Sequence, residues 1–114
     1  MELKEIIGFK VHGIIDYCPE RRISISFYNT NMYIEFYECL LSIDTGIINT
    51  EIESAEEYGG EMGFIVAFRE MKLPYKEYDD RMYFIIKGKG RKEHYQNQIR
   101  IACKRMEIKG NTLS

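Results

Sequence analysis

The sequence predicts a mainly β domain, an antiparallel β-sandwich or small β-barrel of about seven strands with one short helix near residues 51–58. Two observations support this fold class. Apolar residues recur at every second position in several short segments, and clusters of Gly, Asn, Asp and Pro separate those segments. The 114 residues suffice for one core, so we expect a single globular domain spanning residues 1–114.

The first predicted strand covers residues 7–17, where apolar residues occupy the odd positions. Residues 18–21 contain a proline and supply a turn. Alternation then resumes at residues 23–28, which predicts a second strand and a hairpin with the first.

A third predicted strand, residues 32–43, is apolar on both of its faces. Such a strand is central in a sheet or contacts a partner with its second face. Glu35 and Glu38 fall on opposite faces of this strand, so at least one carboxylate does not fit a plain core. We expect a β-bulge near Glu38 to resolve the conflict.

The short helix is predicted from its start and stop signals. Thr50 and Glu53 have the spacing of a capping box, in which two side chains satisfy free backbone donors. Acidic residues in the first turn suit the positive end of a helix dipole. Gly59 stands where helices commonly end, so we expect a helix from Glu51 to Tyr58.

The second half of the chain predicts further strands at residues 62–68, 81–87 and 98–109. Residues 71–80 contain a proline and paired aspartates, which favour a loop or wide hairpin connection. In the last strand the alternation changes phase near residues 104–105, and we expect a bulge there.

The sequence contains no recognised catalytic or metal-binding motif. His12 and His94 lie in no acid–base pattern, and the widely spaced Cys18, Cys39 and Cys103 suit neither a disulfide framework nor a zinc site. We therefore expect a protein that is not an enzyme and that carries no cofactor and no metal. The chain has no apolar run of membrane-spanning length and no signal-peptide pattern at its start, so we expect a cytoplasmic location without membrane contact.

The charges of the chain are strongly segregated. Residues 23–68 contain eight acidic residues and no lysine or arginine, a net charge of −8. Residues 81–109 contain nine basic residues against two acidic ones, a net charge of +7. The overall charge is only −2, so a strongly acidic segment and a strongly basic segment nearly cancel in one chain.

We expect the acidic helix and the strand near it to form a negative patch with tyrosine anchors. Such a patch attracts basic proteins and raises their association rates. A small inhibitor of the immunity or antitoxin type, binding a basic partner such as a nuclease toxin, fits the charge and the lack of catalytic groups. The residues of this predicted patch are Tyr33, Glu35, Tyr37, Glu51, Glu53, Glu56, Glu57 and Tyr58.

Internal neutralisation is the simplest alternative explanation of the charge pattern. Strands distant in sequence pair in space, so acidic and basic segments can be neighbours. Each exposed ion pair would then contribute about 0–1 kcal/mol to stability.

Two other functions are compatible with the sequence. The basic segment 81–109 could bind nucleic acid, with Arg100, Lys104 and the tip around Lys89 on phosphates and Tyr83 or Tyr95 stacking on bases. Alternatively, strands that are apolar on both faces could enclose a small apolar ligand inside a β-barrel.

Overall fold

A computed structural model of the chain describes residues 2–59, 69, 82–90 and 97–110. These residues form eight strands in two four-stranded antiparallel sheets, which confirms the predicted mainly β class. The strands are β1 (Val11–Tyr17), β2 (Arg22–Phe27), β3 (Tyr33–Tyr37), β4 (Leu41–Asp44), β5 (Ile52–Tyr58), β6 (Met82–Gly88), β7 (Asn97–Cys103) and β8 (Arg105–Lys109). The strand predicted at residues 62–68 and the connection predicted at residues 71–80 lie outside the described residues.

The first sheet has the strand order β1-β2-β3-β8, and the second has the order β4-β7-β6-β5. Neighbours β1, β2 and β3 follow one another in the chain, as do β5, β6 and β7. By contrast, the pairs β3–β8 and β4–β7 join distant parts of the sequence. The fold is therefore not a simple up-and-down arrangement of sequential hairpins.

Two long segments of the chain pass from one sheet into the other. The predicted third strand divides into β3 and β4 at Glu38, whose φ of 52° lies in the left-handed region. The predicted last strand divides into β7 and β8 at Lys104. Hydrogen bonds continue across this corner, from Leu40 N to Ala102 O (2.8 Å) and from Lys104 N to Tyr37 O (3.2 Å). The irregularities predicted near residues 38 and 104–105 are thus changes of sheet.

The sheets meet a second time where the chain segments before β1 and β5 run side by side. The amide of Gly8 donates to the carbonyl of Ile52 (2.8 Å), and the amide of Ile52 donates to the carbonyl of Phe9 (2.8 Å). An isolated antiparallel bridge joins Lys10 to Glu51. Within the described residues, the two sheets are therefore linked at two places, as in a small, flattened barrel.

The helix predicted at residues 51–58 is wrong, because these residues form strand β5, which pairs with β6 and is the edge strand of the second sheet among the described residues. A register shift between Ile52 and Ser54 places both Ile52 and Ala55 on the buried side. This bulge spaces buried residues three apart, which imitates a helical period. Thr50 donates its hydroxyl to Ile47 O (2.6 Å) instead of capping a helix. In the described part of the chain no helix is both long and apolar enough to span a membrane.

The space between the two sheets is filled by side chains. The rings of Phe36 and Phe84, one from each sheet, meet edge to face with centroids 5.2 Å apart. The fully buried side chains around them are mostly isoleucines: Ile6, Ile25, Ile34, Ile47, Ile52, Ile86, Ile99 and Ile101. In the part of the interior that the described residues form, this packing does not support the ligand-carrier alternative.

Candidate functional site

Three predicted site residues lie on the outer face of the first sheet. Side chains alternate between the two faces along β3. Ile34 and Phe36 are fully buried in the core, so Tyr33, Glu35 and Tyr37 lie on the opposite face. The predicted strand position of these three residues therefore agrees with the structure.

Glu35 is buried on this outer face, with 8% of the residue exposed. Its carboxylate accepts a hydrogen bond from the Tyr37 hydroxyl and lies 3.4 Å from Lys109 Nζ. Arg22 Nη1 lies 3.8 Å from the same carboxylate oxygen. The hydrogen bond from Tyr37 and the two cations hold the pKa of Glu35 below its ordinary value of 4.5, against the opposing effect of burial. This carboxylate is neutralised internally and is not available to a partner.

Glu107 completes the same cluster from the neighbouring strand. It lies directly opposite Glu35 in the β3–β8 ladder, and its carboxylate is 3.5 Å from the Tyr37 hydroxyl. Lys109 Nζ is 3.5 Å from Glu107 and Arg105 Nε is 3.7 Å from it. The hydrogen bond to the Glu35 carboxylate raises the pKa of the Tyr37 phenol. Tyr37 and Glu35 in turn raise the pKa of Lys109. Tyr37 is therefore a neutral hydrogen-bond donor with no sign of activation for chemistry.

Cations also lie over the tyrosine rings of this face. The guanidinium of Arg22 is 4.1 Å from the centroid of Tyr17, and that of Arg105 is 4.3 Å from the centroid of Tyr37. These distances are typical of cation–π contacts. On the outer face of the first sheet, these charged side chains thus pair with one another or lie over tyrosine rings of the same face.

The remaining predicted site residues lie on β5 in the second sheet. Glu51, just before the strand, forms an ion pair with Lys89 at 3.4 Å. Glu53, Glu56 and Glu57, here called the β5 carboxylates, are exposed. None of the three makes an ion pair within the described residues. The β5 carboxylates are therefore the part of the predicted patch that stays negative.

Tyr58 ends β5 beside these carboxylates. It is half-buried, and its hydroxyl donates a hydrogen bond to Glu56. The hydrogen bond orders an aromatic ring next to the negative charges. Tyr58, predicted as an anchor on a helix, thus stands at the end of a strand.

The structure does not bring the eight predicted residues into one patch. Tyr33, Glu35 and Tyr37 belong to β3 in the first sheet, whereas Glu51 to Tyr58 lie at the edge of the second. β3 and β5 belong to different sheets and do not pair with each other. The candidate site reduces to the β5 carboxylates and Tyr58.

Sequence reasoning did not find the residues that flank this reduced site. Glu2, Leu3 and Lys4 of the amino-terminal segment and Met106 of β8 line a surface groove together with residues 55–58. The 3₁₀ helix Leu3–Ile6 brings the amino-terminal residues against β5. Glu2 and Leu3 carried no motif, and Met106 is about 50 positions from β5 in the chain. No local pattern could have associated them.

The basic segment does not form one surface in the described residues. Lys89 pairs with Glu51, whereas Arg105 and Lys109 belong to the Glu107 cluster on the other sheet. Tyr83, predicted as a stacking residue for nucleic acid, is fully buried. Tyr95, the other predicted stacking residue, lies outside the described residues.

Groups with potential for catalysis are scattered over the described part of the chain. His12 Nδ1 lies 3.4 Å from the hydroxyl of Ser26, and its ring meets that of Tyr28 edge-on. Cys18 is exposed, whereas Cys39 and Cys103 are buried. Among the described residues no group of three or more His, Cys, Asp or Glu side chains could hold a metal ion.

Comparison of the chain with protein-family models, with curated proteins and with solved structures gives no match in any of the three.

Proposed function

We propose that this protein is a non-enzymatic binding protein that presents the edge strand β5 to a basic protein partner in the cytoplasm. The observation that carries the proposal is the state of the β5 carboxylates. All three are exposed and lack an ion pair within the described residues, whereas Glu35 and Glu51 are paired. A cation supplied by a partner would therefore form ion pairs with the β5 carboxylates.

Ion pairs within the chain neutralise some of the predicted patch residues, so the proposal is confined to the remaining carboxylates. Lys89 and Lys109, both from the basic segment, neutralise Glu51 and Glu35. These pairs account for part of the charge segregation seen in the sequence. The β5 carboxylates are what remains for an external partner.

A negative edge strand suits a partner that itself binds a polyanion. Enzymes that act on nucleic acids have basic active sites, and a row of carboxylates offers such a site charges resembling those of phosphates. An inhibitor of the immunity or antitoxin type, directed at a nuclease toxin, is the specific role that we propose. Electrostatic attraction would raise the association rate by roughly 10- to 1,000-fold at low salt.

Nucleic-acid binding by the basic segment is less favoured. Stacking on bases needs exposed aromatic rings beside free cations. Tyr83 is fully buried, and Lys89, Arg105 and Lys109 already face carboxylates. Binding of nucleic acid is retained as an outcome of the experiment.

Affinity capture from native cytosol tests the proposal. The wild type is compared with the variant Glu53→Gln/Glu56→Gln/Glu57→Gln and with a control, Asp16→Asn/Glu20→Gln/Glu38→Gln, which removes the same charge at exposed positions around the β1–β2 turn and the corner. We expect the wild type and the control to capture one basic protein that the β5 variant loses.

Equal capture by all three proteins would contradict the proposal. Capture of nucleic acid in place of a protein, unchanged in the β5 variant, would instead favour the basic segment.

A further inference from the structure

A groove lies between the amino-terminal 3₁₀ helix and the second half of β5. Its volume is about 650 Å³. Leu3 and Ala55, each 8% exposed, and the half-buried Met106 supply its apolar surface. The groove therefore has space and an apolar wall beside the strand that we propose as the binding surface.

Charged and polar groups surround this apolar surface. Glu2, Glu56 and Glu57 are exposed at the groove, and Lys4 is the single cation among its described lining residues. Glu56 and the half-buried Tyr58 share the other face of β5 and border the groove at the strand. Three carboxylates against one ammonium leave the groove with a net negative charge, so a cation complements it.

We propose that this groove receives an arginine side chain of the basic partner. The aliphatic part of arginine would pack on Leu3, Ala55 and Met106, and its guanidinium would reach the carboxylates of Glu2 and Glu57, of which Glu57 lies on the same face of β5 as Ala55. This inference rests on the proposed function, because it names the group of the partner that the β5 edge binds.

Arginine fits the groove better than lysine. A guanidinium is less strongly hydrated than an ammonium ion, pairs with carboxylates through two hydrogen bonds and lies flat on aromatic rings.

Titration of methyl-labelled protein with hexaarginine, followed by NMR, tests the inference. Hexacitrulline, which has the same shape without the charge, and hexalysine serve as comparison probes. We expect hexaarginine to shift the methyl signals of Leu3, Ala55 and Met106, hexalysine to bind more weakly, and hexacitrulline to leave the signals unchanged.

Two groups of variants give effects of opposite sign. Removal of one groove carboxylate, in Glu2→Gln or Glu57→Gln, should weaken hexaarginine binding by about two- to fivefold. Lys4→Gln removes the competing cation and should tighten binding about twofold, a gain that misfolding cannot produce. Glu53→Gln is the matched control, since Glu53 lies on β5 outside the groove, and its effect should be smaller than that of either groove carboxylate.

Shifts confined to other methyl groups, equal shifts with hexacitrulline, or binding of hexalysine as tight as that of hexaarginine would overturn the inference. If the groove methyls do not respond while partner capture still depends on the β5 carboxylates, the groove inference fails and the proposed function stands. Groove binding of hexaarginine without a captured partner would support the groove and contradict the proposed function.

Discussion

Glu35 lies directly opposite Glu107 in the β3–β8 ladder, and the Tyr37 hydroxyl and Lys109 Nζ contact both carboxylates. Like charges placed opposite each other on neighbouring strands are destabilising. Here Lys109 stands 3.4 Å from one carboxylate and 3.5 Å from the other. Ion pairs within the first sheet therefore neutralise Glu35, a carboxylate that the sequence alone assigns to a binding patch.

Lys109→Met should lower the midpoint of urea unfolding, because it removes the cation shared by two opposed carboxylates. Lys104→Met is the matched control, since Lys104 is exposed at the corner and makes no described ion pair. We expect the control to stay close to the wild type. Equal midpoints for Lys109→Met and the wild type would contradict the role of Lys109 in the cluster.

The pKa of Glu35 predicts a loss of stability in acid. Because this pKa is lower in the folded protein than its ordinary value of 4.5, the unfolded chain binds more protons in acid. The stabilisation is thus present above about pH 4.5 and is lost as the pH falls through the folded-state pKa. Glu35→Gln should be less stable than the wild type at pH 7, and its stability should fall less between pH 5 and pH 2.

Urea midpoints measured across this pH range check the prediction, with Glu53→Gln as a control at an exposed carboxylate without a described ion pair. The control should lose stability in acid as steeply as the wild type. If Glu35→Gln follows the same pH profile as the wild type, Glu35 does not contribute to the acid sensitivity.

Phe36→Ala should destabilise the fold by about 3–5 kcal/mol, because it leaves a cavity opposite Phe84 where the two sheets meet. Ile15→Ala is the control, since Ile15 is 53% exposed on the outer face of the first sheet. Its expected effect is within about 0.5 kcal/mol. Chemical denaturation measures both values, and a loss below about 1 kcal/mol for Phe36→Ala would contradict the packing between the sheets.

Association with the captured partner should depend on salt. If the β5 carboxylates attract that partner, the association rate constant should fall as ionic strength rises, because salt screens exposed charges. The Glu53→Gln/Glu56→Gln/Glu57→Gln variant should associate more slowly at low salt and show a shallower dependence. Stopped-flow mixing at several salt concentrations measures this, and parallel salt dependences for the two proteins would exclude steering by β5.

The predicted β class followed from alternation that local sequence displays directly, as in Ile23, Ile25 and Phe27 of β2. The change of phase near Lys104 and the acidic Glu38 within an apolar strand correctly predicted irregularities at these two positions. They did not predict that the chain passes into the other sheet there. The error at β5 has a physical cause. Thr50, Glu53 and Gly59 have the spacing of helix start and stop signals, but these local signals were overridden by the pairing of β5 with β6.

The candidate site was less predictable than the fold. Glu35 and Glu107 are 72 positions apart, and only the β3–β8 pairing makes them neighbours. No rule on local sequence supplies that pairing. The acids Glu53, Glu56 and Glu57 could be proposed from the sequence, because a segment whose charges all have one sign can be recognised without knowing the topology.

Site-specific photo-crosslinking in native cytosol tests the central claim most directly. A photoreactive residue at Gly59 keeps every acid of β5, and a side chain there has open space around its first carbon. The same residue at Ile15 probes the outer face of the first sheet. We predict a crosslink from Gly59 to a basic protein, lost when Glu53, Glu56 and Glu57 are changed to glutamine, and none from Ile15. No crosslink at Gly59, or the same product from both positions, would contradict the account.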